Sequence, residues 1–179
     1  MNVAFLGATR GIGRHLARAM AERGDRLFLL GRSAEDLDRT AQDFALRAPG
    51  GARPGIATCD LERHETLGPA LDAAQRSLGR LDVVVLSAAI YRSQEELEHD
   101  PAGVRRLLDV DLTNTIAFCE DARRRLLAQG GGTLCVFSSV AGDRGRLAVA
   151  IYGAAKAGLS HYLESLDHGY GGRDSSRSA

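Results

Sequence analysis

The stretch that decides the fold is VAFLGATRGIG, residues 3–13. Its first four residues form a short apolar run, which predicts a buried strand. Apolar residues then recur every four positions as Ile12, Leu16 and Met20, which predicts a helix with these three residues on its inner face. A strand that runs directly into an amphipathic helix indicates the start of a βαβ unit.

Four more apolar runs follow, at residues 27–30, 56–59, 83–86 and 134–137. None of them alternates with polar residues, as expected where helices cover both faces of a parallel sheet. Longer helical patterns separate the runs, which βαβ units require. The fold class is therefore predicted to be α/β, a Rossmann-like doubly wound parallel sheet of about five strands with helices on both faces.

Helix start and stop signals agree with this arrangement. Ser33 is expected to cap the second helix, and Asp100 followed by Pro101 is expected to start a long helix over residues 101–129. The second helix should turn three residues inward: Leu37, Ala41 and Phe44. The helix over 101–129 and another over 152–166 offer faces through which a homo-oligomer could form, although for the longer helix the sequence alone favours packing on the chain's own sheet.

Composition limits the function classes. The chain has 179 residues, and its 23 Lys and Arg balance its 23 Asp and Glu, so no global charge favours nucleic acid or an anionic membrane. The cysteines and histidines lack metal-ligand spacing, and no signal peptide or membrane span is visible. We expect one domain over residues 1–166, a disordered tail over 167–179, a cytoplasmic protein, no membrane insertion and no metal site.

Three glycines lie in the turn between the first strand and helix: Gly7, Gly11 and Gly13. Glycines there allow a tight turn and a close backbone approach, and the free N–H groups of a helix N-terminus suit a diphosphate. Glycines also make ordinary loops, but this position favours a dinucleotide-binding turn. The residues predicted to contact the dinucleotide are Gly7, Thr9, Arg10, Gly11, Ile12 and Gly13.

The second strand ends in Gly31 and Arg32, where an acidic residue would bind the hydroxyl groups of an adenosine ribose. Arg32 could instead bind a 2′-phosphate, and Arg10 could approach the same group. Each arginine alone is also consistent with a solvated surface charge. The missing acid and the two arginines together predict NADP(H) rather than NAD(H).

Tyr152 and Lys156 are four residues apart at the start of a helix, so their side chains share one face. A neighbouring ammonium is expected to lower the pKa of a phenol, which makes it a proton donor and acceptor near neutral pH. Ser139 follows the fifth apolar run, at the sheet edge where α/β proteins bind ligands. These three residues are the predicted catalytic group.

Together these motifs resemble the short-chain dehydrogenases/reductases over about residues 1–166. The resemblance implies that Tyr152 exchanges a proton with the substrate, that Ser139 hydrogen-bonds the substrate oxygen, and that Lys156 binds the nicotinamide ribose. It also implies contacts of Asp60 and Leu61 with the adenine, and of Tyr152 and Lys156 with the cofactor. Each residue taken singly also fits a structural role, such as a turn cap for Ser139 or Asp60.

The sequence departs from this family at three places. Residues 86–89, Leu-Ser-Ala-Ala, stand where the family has Asn-Asn-Ala-Gly, so we expect Ser87, Ala88 and Ala89 to contact the cofactor through the backbone. Asp111 stands where the family has a catalytic asparagine, and the resemblance makes it the fourth predicted catalytic residue. Its charge is expected near Lys156, which puts the family's proton relay and the tyrosine pKa in question. The chain is also expected to be C-terminally shortened, without the family's substrate lid, which leaves its fifth strand as an apolar sheet edge.

The predicted function is an NADP(H)-dependent oxidoreductase that interconverts a small-molecule carbonyl and a secondary alcohol, with Tyr152 as proton donor and acceptor. The alternative is a truncated, non-catalytic dinucleotide-binding or partner-binding protein, which the missing lid and Asp111 would explain. Nucleic-acid binding is not expected, since the chain has neither a basic face nor an array of stacking aromatics.

Overall fold

A computed structural model describes residues 1–170 of the chain. The strands of its sheet are Asn2–Leu6 (β1), Arg26–Gly31 (β2), Gly55–Thr58 (β3), Val83–Leu86 (β4) and Thr133–Val136 (β5). They lie in the order β3-β2-β1-β4-β5, and every neighbouring pair is parallel. This confirms the predicted doubly wound parallel sheet.

Helices alternate with the strands along the chain, as the βαβ pattern predicts. A stretch of π-helix at Asp109–Thr113 lies between two α-helices, and these three pieces occupy the place of the single long helix predicted over 101–129. The α-helices are Gly11–Glu22 (α1), Ala34–Arg47 (α2), Leu67–Leu78 (α3), Gln94–Leu97 (α4), Pro101–Leu108 (α5), Asn114–Ala128 (α6) and Ala150–Tyr170 (α7).

By its internal contacts the chain divides into two compact units. The first unit comprises Met1–Ala89 and Ala117–Phe137, and the second comprises Ile90–Ile116 and the chain from Ser138 onward. The sheet belongs to the first unit. The single domain expected over residues 1–166 stays a prediction.

The core of the first unit corrects the predicted inner face of α1. Ile12 is 73% exposed, whereas Gly13, Ala17 and Ala21 are buried. The buried stripe is therefore displaced by one residue, because small side chains let the helix backbone approach the sheet closely. The other two predicted residues of the inner face, Leu16 and Met20, are partly buried and pack against the core.

The second helix agrees with its prediction. The Ser33 hydroxyl accepts a hydrogen bond of 3.1 Å from the N–H of Asp36, which caps the first turn of α2. The three residues predicted to turn inward are fully buried: Leu37, Ala41 and Phe44.

The second unit has its own small apolar cluster. Leu97, Leu107 and Ala155 are buried at its centre, and Tyr152 packs against it. Asp100 caps α5 as predicted, with a carboxylate oxygen that accepts from the N–H of Gly103 at 2.8 Å.

Helix α7 corrects the predicted start of the tail. It continues to Tyr170, four residues past the predicted boundary, and residues 167–169 in it are exposed. Backbone hydrogen bonds extend a helix without burying side chains, so the loss of apolar residues did not mark the helix end. Residues 171–179 of the predicted tail lie outside the described residues.

Candidate functional site

The glycine turn lies in the first unit, between β1 and α1. Gly7 has φ 101°, and a Cβ there would lie 2.5 Å from the backbone nitrogen of Ala88. A Cβ at Gly13 would collide with the Ser87 hydroxyl and with the carbonyl of Gly7. Side chains at these two positions are therefore excluded by the turn itself.

Ser87 supports this turn through its side chain. Its hydroxyl lies 3.2 Å from the Gly7 carbonyl oxygen and 3.4 Å from that of Leu6, to which it can donate. The sequence predicted Ser87 only as a backbone contact to the cofactor. Gly13 and Ser87 are far apart in the sequence and come into contact only in the folded chain. No local sequence pattern could therefore have indicated this supporting role of Ser87.

The N-terminus of α1 fits an anionic ligand. The side chain of its N-cap residue, Arg10, makes no capping hydrogen bond, and none of the residues in its first turn is acidic. Gly11 has φ 54°, and within residues 1–170 a Cβ there would meet no atom within 4 Å beyond its chain neighbours and its own helix backbone. Uncapped N–H groups beside open space are the features by which helix N-termini bind phosphate groups.

The two predicted 2′-phosphate ligands are exposed and face carboxylates. Arg10 donates to Asp36 at 3.3 Å, and a nitrogen of Arg32 lies 3.8 Å from a carboxylate oxygen of Glu62. Exposed ion pairs of this kind contribute little to stability, so both guanidinium groups could exchange these partners for a ligand.

The predicted adenine contacts have structural roles in the described chain. A carboxylate oxygen of Asp60 accepts from the N–H of Glu62 at 3.0 Å, and Thr66 donates to the carbonyl of Asp60 at 3.2 Å. Leu61 is buried. The turn-cap role of Asp60 is therefore present, and its contact with adenine stays a prediction.

The predicted catalytic residues lie together in the second unit. Tyr152 and Lys156 are in the first two turns of α7, and the Lys156 nitrogen lies 5.6 Å from the centroid of the Tyr152 ring. Hydrogen bonds hold the segment that carries Ser139. The Ser138 hydroxyl donates to the Lys156 carbonyl at 3.2 Å, and the N–H of Ala141 donates to the Ser139 hydroxyl at 3.2 Å.

Asp111 belongs to the same group. It is 0% exposed in the π-helical stretch, and one carboxylate oxygen, Oδ1, accepts from the N–H of Ile90 at 2.8 Å. The other oxygen, Oδ2, lies 3.5 Å from the ammonium of Lys156, which is 2% exposed. The sequence places these two charges near each other, and the structure shows them as a buried ion pair.

The predicted direction of the Tyr152 pKa is wrong. Burial raises the pKa of Tyr152, hydrogen bonding with Ser139 lowers it, and charge interactions with Asp111 and Tyr91 raise it further. The net direction is upward. The largest cause is burial, and the expected lowering by Lys156, whose ammonium lies 5.6 Å from the ring centroid and 3.5 Å from the Asp111 carboxylate, does not outweigh it.

Sequence reasoning missed Tyr91. Its ring meets that of Tyr152 edge-on, with centroids 5.2 Å apart and an interplanar angle of 80°. The preceding N–H of Ile90 bonds Asp111, and the next residue, Arg92, donates to Asp100 at 2.5 Å. An aromatic residue shortly after the fourth apolar run was visible in the sequence, but nothing there indicated which side chain it would contact.

An open parallel sheet with a glycine turn after its first strand defines a doubly wound nucleotide-binding type of fold. Within it, the chain matches the family described as short chain dehydrogenase over residues 2–174, and it belongs to this family. Members of the family are oxidoreductases that bind a nicotinamide dinucleotide. In the part of the chain that the structure describes, no helix is long and apolar enough to cross a membrane.

Individual relatives agree with this assignment. Carbonyl reductase family member 4 of Danio rerio is 31% identical over 160 residues, covering 89% of this chain and 65% of that protein. Cis-4-hydroxycyclohexanecarboxylate dehydrogenase of Sinomonas cyclohexanicum is 35% identical over 160 residues, covering 89% and 63% respectively. The solved structure of an Escherichia coli oxidoreductase superposes with a TM-score of 0.85 at 26% identity, covering 94% of this chain and 69% of that one. The chain thus spans less than two thirds of the length of the two sequence relatives.

Proposed function

We propose that the chain is an NADP(H)-dependent oxidoreductase that interconverts a carbonyl and a secondary alcohol. The observation that carries the proposal is the grouping of Tyr152, Lys156 and Asp111 with the Ser139 segment in one compact unit. A phenol, a hydroxyl and an ammonium suit proton exchange with a substrate oxygen, and the relatives' names support a small carbonyl or alcohol substrate.

The chain's own residues would manage the proton. In carbonyl reduction the Tyr152 phenol donates its proton to the carbonyl oxygen, while the Ser139 hydroxyl donates a hydrogen bond to the same oxygen. In alcohol oxidation the Tyr152 phenolate accepts the hydroxyl proton. Lys156 would bind the nicotinamide ribose by hydrogen bonds, and Asp111 would orient Lys156.

The cofactor would be held mainly by the glycine turn. Its fit rests on the uncapped N-terminus of α1, the open space beside Gly11, and the exclusion of side chains at Gly7 and Gly13. When bound, a nicotinamide dinucleotide supplies or accepts the hydride. The other proposed contacts are Thr9, Arg10, Ile12, Arg32, Asp60, Leu61, Ser87, Ala88, Ala89, Tyr152 and Lys156.

Selection of NADP(H) over NAD(H) is proposed to depend on Arg10 and Arg32. Both are exposed, and no acidic residue occupies the end of β2. A phosphate would offer each guanidinium a charge-assisted hydrogen bond that is stronger than its present exposed ion pair.

Two further proposals concern the setting of the protein. Its three cysteines are free thiols, which supports a reducing compartment such as the cytoplasm.

A homo-oligomer is also proposed, through α7 and through α5, the π-helical stretch and α6, which occupy the place of the predicted helix over 101–129. Light scattering on the purified chain would test it.

Binding and turnover are tested in sequence. The purified chain is titrated with NADPH and NADH by calorimetry, and NADPH oxidation is then followed by absorbance with a set of ketones. We expect tighter binding of NADPH and oxidation with at least one ketone. Failure to bind either dinucleotide would overturn the proposal, while binding without turnover would favour the non-catalytic alternative.

The role of Tyr152 is tested by Tyr152→Phe, which removes only the phenolic hydroxyl. Removal of a general acid typically costs about 10²–10⁴ in rate, so we expect at least a hundredfold loss of kcat and a much smaller loss of NADPH affinity, since Tyr152 is one of many proposed cofactor contacts. Tyr162→Phe makes the same change elsewhere on α7 and should retain kcat. Equal activity of the two variants would exclude Tyr152 as the proton donor.

A further inference from the structure

The buried ion pair of Asp111 and Lys156 leaves one atom without a hydrogen bond. Oδ1 of Asp111 bonds the N–H of Ile90, but Oδ2 makes no hydrogen bond within residues 1–170. Its contact is the Lys156 ammonium at 3.5 Å. A neutral asparagine would also accept from Ile90, so the negative charge is not needed to hold this loop.

The charge does alter what Lys156 presents to Tyr152. The Lys156 nitrogen is 5.6 Å from the Tyr152 ring centroid and only 3.5 Å from the carboxylate. Opposite charges that lie close together largely cancel at a third group farther away. Solvent screens this buried ion pair little, so the electrostatic potential at Tyr152 is that of the Asp111–Lys156 pair and not that of a lone cation.

In the described chain, the other groups that contact Tyr152 or lie next to its contacts supply no positive charge to it. Ser139 carries a neutral hydroxyl, and the charge interaction of Tyr91 with Tyr152 raises the pKa of Tyr152. Gln94 of α4 is neutral and accepts from the N–H of Ile151 at 3.4 Å. Arg92, the residue after Tyr91, is paired with Asp100 at 2.5 Å.

We propose that Asp111 offsets the charge of Lys156, keeps the Tyr152 phenol protonated at neutral and alkaline pH, and so biases this site toward carbonyl reduction. This inference rests on the proposed function and adds a direction to it. The upward direction of the Tyr152 pKa, caused first by burial and also by Asp111, agrees with the geometry. Burial raises the pKa of Asp111 itself, while Lys156 and the Ile90 N–H oppose that rise.

In carbonyl reduction, the favoured direction, each bond that forms is matched by a bond that breaks. The O–H bond of Tyr152 breaks as a new O–H bond forms on the carbonyl oxygen. A C–H bond forms at the carbonyl carbon from the hydride of a reduced nicotinamide dinucleotide, which is oxidised as the carbonyl is reduced. The Tyr152 phenolate then recovers a proton from water. Oxidation of an alcohol needs the phenolate at the outset, which Asp111 disfavours.

The test is a titration of Tyr152 that requires neither cofactor nor turnover. Tyrosinate absorbance is recorded against pH for the full chain and for Tyr152→Phe, and their difference isolates the Tyr152 signal. The same pair is measured with Asp111→Asn, and circular dichroism defines the pH range in which each chain stays folded. We expect Asp111→Asn to move the Tyr152 midpoint to lower pH.

Asp109→Asn is the matched control. It removes the same charge from an exposed residue of the same π-helical stretch and should leave the midpoint in place. If Asp111→Asn does not fold, Asp111→Ser removes the charge and keeps a hydroxyl acceptor for Ile90. An unchanged or higher midpoint in the Asp111 variants, or an equal fall in Asp109→Asn, would overturn the inference. Failure of NADPH binding would overturn the proposed function and leave this titration readable.

Discussion

At the scale of single residues, Gly7 and Gly11 lie in one turn but have different surroundings. Gly7→Ala places a methyl group 2.5 Å from the nitrogen of Ala88 at φ 101°, so we expect a loss of about 2 kcal/mol or more in the free energy of unfolding. Gly11→Ala adds a methyl group in open space at φ 54° and should cost about 1 kcal/mol. Urea denaturation measures both losses.

Dinucleotide binding provides a second test of the Gly11→Ala variant. The Gly11→Ala chain remains folded, but its methyl group occupies the open space beside the N-terminus of α1. We therefore expect Gly11→Ala to weaken NADPH binding clearly, although its stability is nearly retained. A Gly11→Ala chain that binds NADPH like the parent would contradict a diphosphate site at this turn.

Arg32→Ala tests the proposed preference for NADP(H). Loss of a hydrogen bond to a charged group costs about 1.5–3 kcal/mol, so we expect NADPH affinity to fall about tenfold or more, with little change for NADH. Arg26→Ala removes an exposed arginine from the other end of β2 and serves as the control. Calorimetric Kd values for both dinucleotides decide the outcome, and an equal loss for NADH would remove the 2′-phosphate role.

At the scale of elements, the π-helical stretch positions Asp111. The buried hydroxyl of Thr115 donates to the Val110 carbonyl at 2.8 Å, and the N–H of Asn114 bonds the carbonyl of Asp109. Thr115→Val keeps the side-chain shape but removes the donor. Loss of a hydrogen bond to a buried carbonyl predicts a fall of about 1–2 kcal/mol in unfolding free energy.

The control for this change is Thr113→Val, at an exposed position in the same stretch. Surface substitutions usually change stability by less than about 0.5 kcal/mol. Urea denaturation of the two variants should therefore differ by more than this amount. Equal stabilities would mean that the Thr115 hydroxyl does not hold the π-helical stretch.

The elements show why sequence reasoning succeeded in some places. Strands β1 to β5 and the caps Ser33 and Asp100 follow from local patterns, namely apolar runs and short-range hydrogen bonds. The inner face of α1 did not follow, because buried Gly13 and Ala17 carry no strong hydrophobic signal. The π-helical stretch could not be predicted either. Its backbone hydrogen bonds join residues five apart, and the spacing of apolar residues does not reveal this change from the α-helical pattern.

The site was predictable in its residue types but not in its electrostatics. Tyr152, Lys156 and Ser139 could be chosen from spacing and resemblance. The direction of the Tyr152 pKa depends on burial and on the distance between Lys156 and Asp111, and these are properties of tertiary structure. A spacing of four residues on one helix brings the side chains of Tyr152 and Lys156 near each other. It does not show that the carboxylate of Asp111, which is distant in the sequence, lies beside Lys156.

At the scale of the whole molecule, buried thiols can report cofactor binding without any turnover. Cys59 and Cys119 are buried in the first unit, and burial raises the pKa of each to about 12. The thiolate is the reactive form, so native labelling by a disulfide reagent must await opening of the structure. A ligand that binds only the folded state suppresses that opening by the factor 1 + [L]/Kd, which is about a hundredfold at a hundred times Kd.

We therefore expect NADPH at that concentration to slow the labelling of Cys59 and Cys119 about a hundredfold, and equal NADH to slow it less. Cys135→Ser removes the less buried third thiol and simplifies the measurement. The Gly11→Ala chain should show almost no protection, because its fold is kept while its ligand space is filled. Labelling rates that ignore NADPH in the parent chain would mean that the folded state does not bind it, whatever activity is measured.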